Sequence, residues 1–201
     1  MRSQSMEESA MHRLGYVLAT CVIFLSGCAT DRSASTATPY LNPFLGTGDN
    51  ISYWDGDEIG GQPSIKIDLA EQRAYFYKGD QLVGVSVAST GREGYGTPPG
   101  EFRITQKDID HASNLFGDYV DQGGQVVMRN INIKQDPQPP GTTFRGAAMP
   151  YFLRIHGGIG MHAGYLPGYP ASHGCIRLPE RMAVRFFQNA AVGTPVEIIK
   201  S

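Results

Sequence analysis

Between Met161 and Leu178 the sequence sets one thiol among imidazoles: Met161-His162-Ala163-Gly164, then Ser172-His173-Gly174-Cys175-Ile176-Arg177. A free thiol, with a pKa of about 8.5, is mostly protonated at neutral pH. An imidazole within hydrogen-bond reach takes that proton and makes a nucleophile. The intervening Tyr165-Leu166-Pro167-Gly168-Tyr169-Pro170-Ala171 carries two prolines and two glycines, a loop able to bring the two blocks together. His173 stands two residues from the thiol with Gly174 between, a spacing better suited to backbone donation than to a side-chain pair. His162, at a strand end, approaches from the facing strand, so Cys175 is the expected nucleophile and His162 its base. A tight turn at Gly174 would aim successive N–H groups at one point, an oxyanion hole. Ser172 either orients His162 or caps the turn; His173 either lines the site or fixes the turn. Arg177 either grips a substrate carboxylate or braces the loop. Tyr169 bounds a donor pocket or packs on its prolines. His111 is expected on the surface and His156 in an exposed turn. A zinc site on His162, His173 and Cys175 has no clear fourth ligand and poor i, i+2 spacing, so no metal is expected.

The other cysteines have different fates. Leu14 to Leu25, LGYVLATCVIFL, holds no charge but is too short to span a bilayer comfortably, which takes about 20 apolar residues. It fits the core of an export signal. Leu25-Ser26-Gly27-Cys28 follows, and it resembles the box at which a bacterial lipoprotein is cut and lipidated on cysteine. The expectation is a signal peptide over 1–27, a lipidated Cys28, and a tether over 28–62 whose aromatics (Tyr40, Phe44, Tyr53, Trp54) can pack on a domain over 63–201. Glu7 and Glu8 are unusual in a signal, and Met11 as the start would remove both. Of three cysteines, Cys21 then leaves with the signal and Cys28 carries lipid, so Cys175 is a lone exported thiol with no disulfide partner.

The elements that must position this chemistry are mostly strands. Apolar residues make up 41% and charged residues 18% of the 201, a globular composition, and Gly 25 with Pro 13 favours turns and short strands over a helical bundle. A net charge of −2 argues against a nucleic-acid partner. Alternation marks strands from Ile65 to Leu69, Ala74 to Tyr77 and Gln81 to Ala88, the last two joined at Lys78-Gly79-Asp80. Glu101 to Ile104, a hairpin of Tyr151 to Ile155 with Ile159 to His162, and a terminal strand from Thr194 to Lys200 follow. Residues 107–148, rich in Gly, Asn, Asp and Pro, read as long loops around a short strand at Val126 to Arg129. One helix is expected, with Pro179 at its first position and a face of Ala183, Phe186, Phe187 and Ala190. The fold class is β-rich α+β in a single core.

The block Ser172-His173-Gly174-Cys175-Ile176-Arg177, preceded by His162-Ala163-Gly164, resembles the L,D-transpeptidase family, the YkuD-type catalytic domain. Ile65 to Leu69 with Gln72, Ser89-Thr90-Gly91 and Thr97-Pro98-Pro99-Gly100-Glu101-Phe102 agree, so the resemblance covers about residues 64 to 200. Two features depart from it: a short gap between His162 and Ser172, and Ala163 where Gly or Ser is common. The resemblance implies acyl transfer on peptidoglycan stem peptides without a cofactor. Cys175 would attack the L-centre carbonyl of the diamino acid at stem position three, and the terminal D-residue would leave. His162 would carry the protons, and N–H groups around His173 to Cys175 would hold the oxyanion. The acceptor would be an amine of a second stem or of a lipoprotein lysine. Family members are typically acylated by carbapenems. Hydrolysis at the same site (an L,D-carboxypeptidase, or an amidase that releases wall proteins) and a non-catalytic wall-binding lipoprotein are the alternatives. Lipidation would make the chain a membrane-anchored lipoprotein facing the periplasm or wall; Ala29 after Cys28 points to the outer membrane by the enterobacterial rule.

Overall fold

The computed structural model describes residues 49–200. The apolar run, Cys28 and the tether as far as residue 48 lie outside the described residues. In chain order the elements are β1 (Tyr53–Trp54), β2 (Pro63–Asp68), β3 (Arg73–Lys78), β4 (Gln81–Val87), β5 (Gly100–Arg103), β6 (Gln106–Asp108) and β7 (Ala112–Val120). Then come β8 (Val126–Asn132), β9 (Thr143–Ala148), β10 (Phe152–His156), β11 (Ile159–Ala163), β12 (Ile176–Leu178), α1 (Glu180–Asn189) and β13 (Pro195–Ile199). They form a six-stranded sheet in the order β1-β4-β3-β2-β13-β5, a four-stranded sheet β12-β11-β10-β6 and a three-stranded sheet β8-β7-β9. The mostly β class with one helix is as the sequence pattern indicates. No helix among the described residues is long and apolar enough to cross a membrane.

Alternation explains the first sheet. Ile65 and Ile67 on β2, Ala74 and Phe76 on β3, and Val196 and Ile198 on β13 point inward and are buried. β13 runs parallel to β2 with Val196 opposite Ile65 and Ile198 opposite Ile67. The same core takes Leu153, Ile155 and Met161 from the second sheet and Met182, Ala183 and Phe186 from α1. One continuous apolar interior therefore fixes the second sheet, which carries His162, against the first.

The helix starts one residue later than the sequence indicates. Pro179 is its N-cap, with ψ 141°, extended rather than helical, and its carbonyl accepts the N–H groups of Met182 and Ala183, each at 2.9 Å. At the other end the Lys107 ammonium donates to the Phe187 and Ala190 carbonyls at 2.5 and 2.6 Å and sits 4.5 Å from the Phe187 ring centroid. A cation there satisfies terminal carbonyls that have no intrahelical partner.

Residues 107–148 are the main correction. They form β6 and the three-stranded sheet rather than loops around one short strand. Their strands lack an apolar stripe because the middle is built from Gly117, Gly146 and Asp118. A Cβ on Gly117 would lie 2.1 Å from the Arg145 carbonyl oxygen, and one on Gly146 2.0 Å from that of Ser113, so the backbones meet where no side chain fits. Asp118 is fully buried; it accepts the Asn130 N–H at 3.0 Å and lies 3.7 Å from the Arg145 guanidinium.

The aromatic segment before Gly60 packs on the domain. Trp54 pairs with Gly84 across β1 and β4, and its ring centroid lies 5.2 Å from Phe76 and 6.2 Å from Phe186. Its indole N–H donates to Asp57 at 2.8 Å, and Asp57 pairs with Arg185 of α1 at 2.9 Å. A Cβ on Gly84 would lie 2.6 Å from the indole, so this glycine makes the seat. Trp54→Ala should lower unfolding stability by about 3 kcal/mol in urea titration, the usual range for removing a large packed aromatic. A loss under about 1 kcal/mol would mean that β1 only rests on the sheet.

Candidate functional site

The turn that carries Cys175 is held by hydroxyls. Ser172, almost fully buried, accepts the Gly174 N–H at 3.0 Å and donates to the Cys175 carbonyl at 2.5 Å. Its own N–H donates to the Thr90 carbonyl at 3.0 Å. Thr97 donates its hydroxyl to the Gly174 carbonyl at 2.8 Å and accepts the Gly91 N–H at 2.9 Å. The Gln72 side-chain amide brackets Thr90, receiving its N–H at 2.9 Å and donating to its hydroxyl at 2.7 Å. Ser89 and Arg177 exchange both backbone bonds at 3.0 Å. Gly174 has φ +109°, and a Cβ there would lie 3.3 Å from Ile159, so glycine is required.

These contacts decide several alternatives. Ser172 caps the turn; its hydroxyl is spent on Gly174 and Cys175, not on His162. The Gly174 N–H is likewise spent, so it is not a free oxyanion donor. Among the hydrogen bonds of the described residues, the neighbouring His173 and Cys175 N–H groups remain unengaged.

His162 sits on β11 in register with Arg177 of β12, where β11 and β12 run parallel. Its ring is buried, and Nδ1 lies 2.8 Å from the Ala163 carbonyl. An acceptor there makes Nδ1 the protonated nitrogen and leaves Nε2 as the base. Burial pushes the imidazole pKa down to about 4; the Ala163 bond opposes this, and the Arg177 and His111 charges add to it. The Cys175 thiol donates to the Gly158 carbonyl at 3.7 Å. Burial pushes its pKa up, while the Gly160 N–H and the charges of Arg177 and Arg154 pull it down. The resting pair is therefore neutral thiol and neutral imidazole.

Both groups line a cavity of about 930 Å³, with Ser172, His173 and Arg177 around them. His173 stacks on Phe116 of β7 at 4.1 Å and meets Tyr95 edge-on at 4.7 Å. Burial, with Arg92 and Arg177 beside it, lowers its pKa to about 4. Arg177 lines the cavity while its stem covers Gly164, where a Cβ would come within 3.1 Å. It thus both faces the site and braces the loop.

Two expectations change. Tyr169 does not line the cavity; its side chain is 62% exposed, and only its carbonyl is used, by the Ser89 hydroxyl at 2.7 Å. Tyr165 lines the cavity instead. His111 is half-buried rather than on the surface: it stacks on Phe152 at 4.2 Å, bonds Asp108 at 3.0 Å, and lines the cavity. His156 is exposed beside its turn, as expected. Sequence reasoning also missed Phe116, because β7 went unseen, and Arg154, whose place opposite Gly160 makes it a cavity residue. Among the described residues no three His, Cys, Asp or Glu side chains gather as a metal site.

Residues 62–198 match the family model of the L,D-transpeptidase catalytic domain. No curated protein matches the chain. Among solved structures, it is similar to an L,D-transpeptidase from Stackebrandtia nassauensis, at 19% identity over 72% of this chain and 58% of that one, TM-score 0.51. It is also similar to one from Mycobacterium smegmatis (18% identity, 70% and 59% covered, TM-score 0.51) and to a mutant of one from Enterococcus faecium (23%, 70% and 50%, TM-score 0.50). At these identities the likeness shows the fold, and the chain spans only half to three-fifths of those proteins.

The depressed imidazole ties stability to pH. An unfolded histidine near 6.5 binds a proton that native His162, at about 4, does not. Its contribution is complete above pH 6.5 and is lost as pH falls toward 4, on the order of 3 kcal/mol in all. Stability measured between pH 7 and 4 should fall with that sign, and His162→Gln should make the slope shallower, leaving the part due to His173, which is lowered in the same direction. An unchanged slope in the variant would assign the acid sensitivity elsewhere.

Proposed function

The chain belongs to the L,D-transpeptidase catalytic-domain family, and from that membership we propose that it is a cysteine acyltransferase of peptidoglycan stem peptides. Cys175 Sγ attacks the L-centre carbonyl of the diamino acid at stem position three, and its proton passes to His162 Nε2. The tetrahedral oxyanion lies toward the His173 and Cys175 N–H groups. The C–N bond to the terminal D-residue breaks, and His162 returns the proton to the leaving amine. The remaining acyl chain is a thioester on Cys175. An acceptor amine, from a second stem or a lipoprotein lysine, then attacks the thioester, His162 takes its proton, and the thiol is restored. The outcome is a 3-3 cross-link or protein attachment, a step in cell-wall organisation.

The observation that carries this reading is the tautomer lock. The Ala163 carbonyl holds Nδ1–H and leaves Nε2 basic, and His162 lines the same cavity as Cys175, the one free thiol of the described residues. The neutral resting pair means that proton transfer accompanies attack instead of preceding it, and an imidazolium with a pKa of about 4 gives its proton up readily to a leaving amine.

Intact mass after exposure to a carbapenem tests the nucleophile: one adduct on the wild type and none on Cys175→Ala. With wall material and residues 29–201, new cross-links are the expected product. Trimmed stems alone would assign the site to the hydrolases, and an adduct surviving in Cys175→Ala would end the enzyme reading.

The anchor belongs to the same proposal. Leu25-Ser26-Gly27-Cys28 supports lipidation at Cys28, with the domain on a tether facing the periplasm or wall. The mature N-terminal peptide should carry diacylglyceryl mass on Cys28, and Cys28→Ala should abolish membrane fractionation. A membrane-bound variant would refute the anchor.

A further inference from the structure

The cavity wall contains a cation that the chemistry above does not use. Arg154 of β10 pairs in register with Gly160, and His162 of β11 with Arg177 of β12. Register partners share a sheet face, so Arg154, Gly160, His162 and Arg177 stand on one face, and all but Gly160 line the cavity. With strands about 4.8 Å apart and about 6.7 Å between alternate residues, the Cα atoms of the two arginines are roughly 12 Å apart, on either side of β11.

Arg154 is braced but not neutralised. Its Nε donates to the Gln106 side-chain oxygen at 2.8 Å and an Nη to the Gly157 carbonyl at 2.7 Å, both neutral acceptors. No carboxylate of the described residues lies within ion-pair distance of it, whereas Arg145, Arg181 and Arg185 pair with Asp118, Asp49 and Asp57. Among the described residues three of its five guanidinium N–H groups have no protein acceptor. No Asp or Glu lines the cavity. Moreover, the carbonyl that braces the guanidinium belongs to Gly157, and the one that accepts the Cys175 thiol belongs to Gly158. Consecutive carbonyls of one turn thus set the cation beside the nucleophile. A planar, pre-oriented guanidinium with free N–H groups matches a carboxylate and not an amide.

We propose that Arg154 recognises a free carboxylate on the donor peptide within one residue of the scissile carbonyl, and that the site thereby discriminates against donors amidated there. This rests on the reading of the cavity as the donor site. The carboxylate has two possible origins on such a peptide: the C-terminus of the leaving D-residue, or the side chain of the diamino acid.

The test compares synthetic tetrapeptide donors as free acid, as C-terminal amide and as side-chain amide, reading Cys175 thioester formation by mass and kcat/KM. Wild type should react roughly 10- to 100-fold faster with the acid than with one of the amides, the weaker donor identifying the carboxylate. Arg154→Gln should lose a similar factor on the acid, mainly in KM, and react with acid and that amide within about threefold of each other; Arg154→Lys should fall between. Melting temperatures establish that the variants are folded, and the wild-type comparison needs no variant. Equal wild-type rates on acid and both amides would overturn the proposal while leaving the acyltransferase reading intact, as would an unchanged preference in Arg154→Gln. No thioester from any donor would overturn the acyltransferase reading and this proposal with it.

Discussion

A nucleophile carried on a loop needs its backbone fixed, and here one buried hydroxyl does most of that fixing. Ser172 accepts from Gly174 and donates to the Cys175 carbonyl, closing the turn on itself. Thr97 and Thr90 then fasten the closed turn to two segments far back in the sequence. Each hydroxyl is buried or half-enclosed, so losing one leaves its partners without water to replace it, at a cost of about 1–3 kcal/mol. Gly91 shows how tight the cradle is: a Cβ there would lie 2.1 Å from the Tyr95 carbonyl oxygen. The thiol's position is a consequence of this network, and the conformation of Gly174 follows from it.

Burial acts on both members of the pair in the direction that keeps them neutral, raising the thiol and lowering the imidazole. The arginines act unevenly. Arg177 favours thiolate and disfavours imidazolium, and Arg154 adds to the first effect. A positive field in a partly dry cavity stabilises negative charge wherever it develops, on sulfur or on a carbonyl oxygen, and makes the protonated base a strong acid. The site is therefore better suited to transferring a proton through His162 than to storing one on it.

The legible parts of this chain are those in which one physical signal dominates. Alternation in β2, β3 and β4 announces a half-buried sheet, and the 183, 186, 187, 190 spacing announces a helix face. The thiol and its base are legible because their types are rare and close together. The three-stranded sheet was not legible, since backbone approach at Gly117 and Gly146 and a buried Asp118 replace the apolar stripe that sequence patterns depend on. His111 reads as a surface residue for a related reason: its stacking partner, Phe152, arrives from a strand forty-one residues later. Tyr169 misled because an aromatic between glycine and proline looks alike in a pocket wall and in an exposed turn.

That hidden sheet matters because it lines the same cavity as His162 and Cys175. Leu115 and Phe116 of β7 and Ala147 and Ala148 of β9 line the cavity together with residues of β10, β11 and β12. Phe116 of β7 stacks on His173, two residues before Cys175, and Tyr95 closes the stack from the side. A neutral imidazole stacks on a phenyl ring as a flat apolar plate, and the low pKa of His173 keeps it neutral through the range in which the enzyme would work. His173 therefore contributes differently from His162 although both titrate alike. His162 keeps a basic ring nitrogen through its bond to Ala163, while His173 stacks the three-stranded sheet onto the turn that carries the thiol.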